Sequence, residues 1–335
     1  MHNLLDPAIL FFIFGVAAGT LKSNLEIPPP ISRFLSLYLL MALGLKGGFA
    51  LAKSGLTADV ITTLGLAVAL AILIPVLGYQ LLKRFLTGYD AAAISATYGS
   101  VSAVTFITAV QYLETQGIAY GGHMAAAMAL MESPAIVMAV LFANSLRHAP
   151  VAASVALTGG STLVLTSPTP ARTSLRTLLH ESFTDGAQLL LLGAMLIGFL
   201  TGEAGQKTMA PFSIDLFKGM LAFFLLDMGL LAARNLNELK DKSPWLLVYA
   251  IVAPLIHAAL ALSMAFTLGI GAGNGALLMA LAASASYIAV PAVLRYAIPE
   301  AKPSLYFGMS LGLTFPFNII VGIPLYAALA GRVLG

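Results

Sequence analysis

The chain has 335 residues, 59% hydrophobic and only 9% charged, with a mean hydropathy of +0.93. A globular domain carries about 25% charged residues, so a soluble enzyme is excluded, and the absence of cysteine excludes disulfides, thiol nucleophiles and cysteine-held zinc. The formal charge of +3 and the pI near 9.0 are no nucleic-acid footprint, because Lys and Arg of a membrane chain mainly encode its orientation.

Charge-free runs longer than the roughly 18–20 residues that cross a bilayer recur from end to end. They predict an all-α polytopic membrane protein with ten spans: 4–21, 31–53, 60–82, 91–117, 121–146, 185–202, 216–236, 245–269, 273–299 and 304–333. The first run has Asp6 and no basic n-region, so it reads as a span and not as a cleaved signal peptide. Residues 1–146 form one five-span unit, 147–184 a polar connection, and 185–335 a second unit. In the connection, Ser167-Pro168-Thr169-Pro170 is a stiff break. Beyond it, Leu175, Leu178 and Leu179 beside Arg176 and His180 predict a short amphipathic surface helix.

With the N-terminus outside, most of the 17 Lys and Arg fall on inner connections, among them Lys22, Arg33, Lys83, Arg84, Arg234 and Lys302. Only Lys46, Lys53, Lys207, Lys218 and Arg332 fall on or near the outer side. That bias puts both termini outside and the connection inside. Five spans per unit then make the second unit an inverted repeat of the first.

In the fourth span, Gly99-Ser100-Val101-Ser102-Ala103 and Thr105 interrupt an apolar run. In the ninth, Ser284-Ala285-Ser286-Tyr287 does the same, with Ser100 falling on Ser284 and Ser102 on Ser286. Glu132 and Pro134 align with Thr314 and Pro316, and Lys46-Gly47 with Met228-Gly229. Matched polar breaks in two halves point to a transporter's binding site. Gly99 gives the backbone freedom to unwind, and helices restarting near Ser102 and Ser286 would aim their N-terminal dipoles at a small anion. Pro291 sits where a restarting helix tolerates a missing N–H. The alternative for each single Ser is close helix packing by small residues.

Glu132 and Asp227 lie midway along the fifth and seventh spans, where a bare charge costs roughly 2.5–3.5 kcal/mol on the mildest scale. Ser102, Thr105, Ser286, Glu132 and Asn318 supply oxygens suited to sodium; Glu132 also reads as a protonated core residue. Asp227 either contacts substrate or forms an ion pair with Lys46. The five His show no metal-ligand spacing, and His257 reads as a hydrogen-bonded core residue.

The string Ser284-Ala285-Ser286-Tyr287-Ile288-Ala289-Val290-Pro291-Ala292 resembles the SbtA family of sodium-dependent bicarbonate transporters. So do 43–48, 225–230 and Phe315-Pro316-Phe317-Asn318, and the likeness covers all ten spans. It implies a non-enzymatic symporter of the bacterial inner membrane that couples bicarbonate to sodium and needs no further cofactor. It also implies a gate of spans 1, 2, 6 and 7, a core of spans 3–5 and 8–10, and a homotrimer in the bilayer. Cyanobacterial members have a PII-like cytoplasmic regulator and a longer central connection, from which 147–184 departs. The rival readings are symport of another small anion or carboxylate, and a bicarbonate-binding membrane sensor.

Overall fold

The computed structural model describes residues 6–55, 57–147, 186–236, 243–287 and 289–335. Among the described residues every regular element is helical: α1 Pro7–Thr20, α2 Pro29–Ser54, α3 Ala58–Leu82, α4 Gly88–Gly99, α5 Ala103–Thr115, α6 Met124–Arg147, α7 Gly186–Ala210, α8 Phe217–Leu236, α9 Pro244–Thr267, α10 Ala272–Ala283, α11 Ala289–Ala297 and α12 Pro303–Val333. Four of them start on proline (Pro7, Pro29, Pro244 and Pro303), the residue whose fixed φ and missing N–H suit a helix's first position. Asp6 adds a cap to α1 by accepting from the Ala8 N–H at 2.8 Å.

Among the described residues six helical stretches are long and apolar enough to cross a membrane: Pro29–Lys53, Ala58–Leu82, Gly88–Thr115, Leu189–Asn235, Pro244–Thr267 and Pro303–Val333. Pro7–Thr20 and Ala272–Ala283 are shorter apolar helices. The expected sixth span ends too early at 202. Gly202 takes a left-handed φ of 54°, yet the helix resumes beyond it, with an exposed Glu203–Lys207 pair at 2.9 Å, an i,i+4 spacing that favours helix. A π turn over Pro211–Asp215 then leads into α8. The amphipathic helix expected over 174–183 lies outside the described residues.

Glycines set which helices meet closely. α1 packs on α8 and α2 on α7. A Cβ on Gly15 would stand 2.3 Å from the Leu226 carbonyl oxygen, and one on Gly48 2.1 Å from that of Met195. In lipid, small residues of this kind let backbones approach until van der Waals contact holds them. The remaining helices form two further groups: α3 with α4 and α6, and α9 with α10 and α12.

α12 is irregular for a local reason. Pro316 has no N–H to give back to the preceding turn, and the helix runs as π turns over Gly308–Thr314 and Asn318–Gly322 on either side. Such wide turns reorient the side chains they carry. Here those are Thr314 and Asn318, both fully buried.

Candidate functional site

α4 stops at Gly99. Ser100 turns extended (φ −93°, ψ −179°), and Ser102 caps the restarting α5 by accepting from the Thr105 N–H at 3.2 Å. α10 stops at Ala283, Ser284 is again extended (φ −79°, ψ 165°), and the Ser286 hydroxyl accepts from the Val290 N–H at 3.3 Å. Pro291 is the third residue of α11, within the first turn, where helical N–H groups have no internal partner.

The two breaks meet. The Ser102 N–H donates to Ser284 Oγ at 3.0 Å, and the Ser286 N–H donates to the Thr97 carbonyl at 2.8 Å. Ser100, Ser102, Ser284 and Ser286 are all buried, walled by Val101 and Ala285, with Ala103 half-buried at the start of α5. Gly99 plays a different part from the one expected. Its φ is not positive; instead a Cβ there would stand 2.0 Å from Pro75 Cγ of α3. The residue is small because α3 presses against the end of α4.

Not every polar group at the crossing is satisfied. Ser100 Oγ and Thr105 Oγ1 are buried with no hydrogen-bond partner, a loss of roughly 1–3 kcal/mol each. The two hydroxyls flank the capping Ser102 in sequence, Ser100 before it and Thr105 after it.

The end of α10 is treated in the opposite way. The Ser284 hydroxyl donates to the Leu281 carbonyl at 2.8 Å, a ring nitrogen of His257 on α9 to that of Ala282, and Asn318 Nδ2 to that of Ala283 at 2.8 Å. Asn318 Oδ1 in turn accepts from the Tyr326 hydroxyl at 2.9 Å. The Tyr98 hydroxyl meets Thr314 Oγ1 at 2.6 Å, and that hydroxyl donates to the Ala250 carbonyl at 2.7 Å. Sequence reasoning missed most of these supports. His257 is the hydrogen-bonded core residue that the sequence suggests, but Tyr98, Thr314 and Tyr326 were visible only as scattered polar atoms inside apolar runs, with nothing in their spacing to bring them together.

Two expectations for the charged and amide residues change. Asn318 does not turn its amide oxygen to a cation; Tyr326 occupies that oxygen. Lys46 and Asp227 do not pair. Lys46 Nζ lies 3.2 Å from both Glu114 oxygens and 4.2 Å above the Phe217 ring, whereas Asp227 accepts from the Ser32 hydroxyl. Ser32 and Lys46 are 14 residues apart on α2, about 21 Å of helix rise, so one acid cannot serve both. Glu132 is half-buried midway along α6, the helix that packs on α3 and α4.

Tyr287 joins the crossing to a cavity of about 820 Å³, whose lining includes Ser32, Arg33, Asp227 and Arg234. Its hydroxyl contacts Met228 Sδ at 3.7 Å, and its ring stands edge-on to Phe315 at 5.3 Å. Phe315 packs edge-on against Phe12 of α1 at 5.4 Å. An aromatic wedge therefore separates the buried serines from open space at the Arg33 and Arg234 end. At the other end Gly47 and Gly122 are in backbone contact, since a Cβ on Gly122 would stand 2.4 Å from the Gly47 carbonyl oxygen.

Among the described residues no three His, Asp or Glu side chains converge, so the oxygens gathered at the crossing are hydroxyls and carbonyls. Compared with known proteins, residues 7–331 match the model of the Na+-dependent bicarbonate transporter superfamily. No curated protein matches the chain. With nearly its whole length matched, the chain belongs to that superfamily.

Proposed function

We propose that this member of the Na+-dependent bicarbonate transporter superfamily is a sodium–bicarbonate symporter that works by alternating access. The observation that carries the reading is the crossing itself. Two helix breaks touch through Ser102–Ser284 and Ser286–Thr97, and two buried hydroxyls, Ser100 and Thr105, have no partner there. Bicarbonate sits between the restarting helices, held by Ser100, Ser102, Ser284, Ser286 and first-turn N–H groups, whose dipole ends favour an anion. Sodium sits alongside on Thr105 and on carbonyls at the end of α4, the groups that broken transporter helices offer a cation. Each ion offsets the other's charge in a buried site, so neither crosses well alone.

The helix pairs support a two-part mechanism. In the ten-span reading, α1–α8 and α2–α7 correspond to spans 1–7 and 2–6, which an inverted repeat exchanges. These four make the gate, and α3–α6 with α9–α12 make the core that moves against it. The excess of Lys and Arg beside Arg33, Arg84 and Arg234 puts that end in the cytoplasm and both termini outside. The 820 Å³ cavity then faces inward. A homotrimer in a bacterial inner membrane is the assembly we expect.

Purified protein in proteoliposomes should accumulate labelled bicarbonate when sodium is imposed outside, and should not when potassium replaces it. Equal uptake in both salts would sink the coupling. Brisk sodium-driven flux of a short carboxylate without bicarbonate uptake would replace the substrate. Binding without accumulation would make the chain a sensor.

A further inference from the structure

A second cavity, of about 260 Å³, lies between α1, α5 and α8 at the end of the molecule away from Arg33 and Arg234. Its lining includes Asp6, Thr108, Gln111 and Thr115, with Leu221 closing one side. Nothing derived so far uses it. Three features set it apart from a packing defect. First, it is bordered by oxygen atoms: a carboxylate, an amide and two hydroxyls. Second, Gln111 is only 5% exposed. Its Nε2 donates to Thr115 Oγ1 at 3.0 Å, but its Oε1 is buried with no partner, an arrangement that native interiors rarely leave standing. Third, the site is connected by sequence to the crossing. Thr105, Thr108, Gln111 and Thr115 recur at three- and four-residue steps and so share one face of α5. That face carries polar groups from the unpartnered Thr105 hydroxyl to the cavity, about 9 Å of helix rise from Thr105 to Gln111.

The groups on offer decide the ligand class. Asp6 is half-buried and spends Oδ1 on the Ala8 N–H at 2.8 Å, leaving its second oxygen for another partner. The Thr108 and Thr115 hydroxyls donate to the Val104 and Gln111 carbonyls at 2.8 and 2.9 Å, which leaves acceptor lone pairs on Thr108 Oγ1 and one on Thr115 Oγ1 beside the bond it accepts from Gln111 Nε2. Acceptor oxygens with one negative charge and no cationic side chain in the lining suit a hard monovalent cation and repel an anion.

We propose that this cavity is an outer sodium site, distinct from the one at the crossing, where the cation exchanges water for Asp6, Gln111 and the threonine hydroxyls before it moves along α5 to Thr105. The proposal rests on the sodium-coupled reading above and adds a second place for the ion. It also gives α5 a role as the cation's track, whereas the anion has no comparable stripe there.

The test is equilibrium binding of ²²Na⁺ to the purified full-length protein, with choline as the inert replacement, alongside sodium-dependent uptake in proteoliposomes. Wild type should bind sodium in two classes. Gln111→Leu and Asp6→Asn should each remove or weaken one class about tenfold, the effect of losing one ligand to a charged group. Both should raise the half-saturating sodium concentration for uptake and leave the bicarbonate dependence at saturating sodium unchanged. Thr105→Val should remove the other class. Gln111→Glu, which keeps the shape and adds a charge, should tighten the outer class about tenfold, a gain that misfolding cannot mimic. A single class of bound sodium, lost in Thr105→Val and unchanged in Gln111→Leu, Asp6→Asn and Gln111→Glu, would overturn the outer site and leave sodium coupling intact. Wild type that binds no sodium, with uptake equal in sodium and potassium, would overturn both.

Discussion

The two helix breaks resemble each other in sequence and differ in how they are finished. At the end of α10, the Leu281, Ala282 and Ala283 carbonyls are met by Ser284, His257 and Asn318. In the first break, Ser100 and Thr105 keep buried hydroxyls without a partner. A chain that crosses a membrane cannot leave backbone groups bare in lipid, and side chains meet backbone groups at both breaks, but only the first keeps buried hydroxyls without a partner. On the function proposed above the labour divides: the second break is the structural anchor of the crossing, and the first is where the ligand completes the bonding.

The largest consequence falls on the anchor. Asn318→Leu strips a donor from the Ala283 carbonyl and an acceptor from the Tyr326 hydroxyl. At roughly 1–3 kcal/mol for each buried group left unsatisfied, the thermal unfolding midpoint in detergent should fall steeply. A midpoint within a degree of wild type would mean that the α10 end is held some other way. Gly99→Ala comes next. Its methyl would stand 2.0 Å from Pro75 Cγ, and forced overpacking costs about 1–3 kcal/mol. Pairing it with Pro75→Ala, which removes the clashing ring, should recover most of the loss in the same unfolding measurement.

Ser284→Ala and Ser100→Ala separate the two breaks directly. Removing the Ser284 hydroxyl orphans the Ser102 N–H and takes from the Leu281 carbonyl one of its two donors, leaving the Ser284 N–H at 3.1 Å, so stability should drop by roughly 1–3 kcal/mol. Removing the Ser100 hydroxyl takes away a buried group that bonds nothing, so the ligand-free protein should be as stable as wild type or more so. Yet Ser100→Ala should raise the half-saturating bicarbonate concentration in uptake. Equal destabilisation by both substitutions would erase the distinction.

Much of this was legible in the sequence, and the limits are physical. Hydropathy located the helices because a bilayer demands a fixed length of apolar chain, and clustered hydroxyls located both breaks because nothing else explains Gly99-Ser100-Val101-Ser102 in so apolar a run. The partners were not legible. Asn318 supplies oxygen chemistry on paper, but its orientation is set by the π turns around Pro316 and by Tyr326. Lys46 and Asp227 align one residue apart in the repeat, and alignment carries no depth: Asp227 of α8 meets α2 at Ser32, about 21 Å of helix rise from Lys46, so each found a nearer partner. Gly99 was expected to supply conformational freedom when what mattered was room for Pro75. The extension of α7 past Gly202 escaped notice because a polar, glycine-marked stretch reads as a turn until its i,i+4 pair is seen.

The smallest expected effect belongs to the end of the molecule opposite the large cavity. Lys46 of α2 reaches Glu114 of α5, and the Tyr120 hydroxyl donates to the same carboxylate at 2.9 Å. The pair is partly exposed, with side-chain exposures of 16% and 30%, so its contribution to stability should be only about 0.2–1 kcal/mol in a double-mutant cycle. Its location matters more than its strength, because in the transport cycle proposed above it ties a gate helix to a core helix on the face that has to open. Glu114→Gln should therefore leave the unfolding midpoint nearly unchanged while shifting the balance away from the conformation described here. The natural sequence contains no cysteine, so a single Ser36→Cys probe in the large cavity can report that balance without background. Labelling of this thiol by a water-soluble maleimide should slow in the Glu114→Gln protein and return toward the starting rate when Lys46→Met is added, since the leftover cation no longer lacks its partner. If the three proteins label at one rate, the ion pair is only a surface contact, and the Gly47–Gly122 approach is what keeps that face shut.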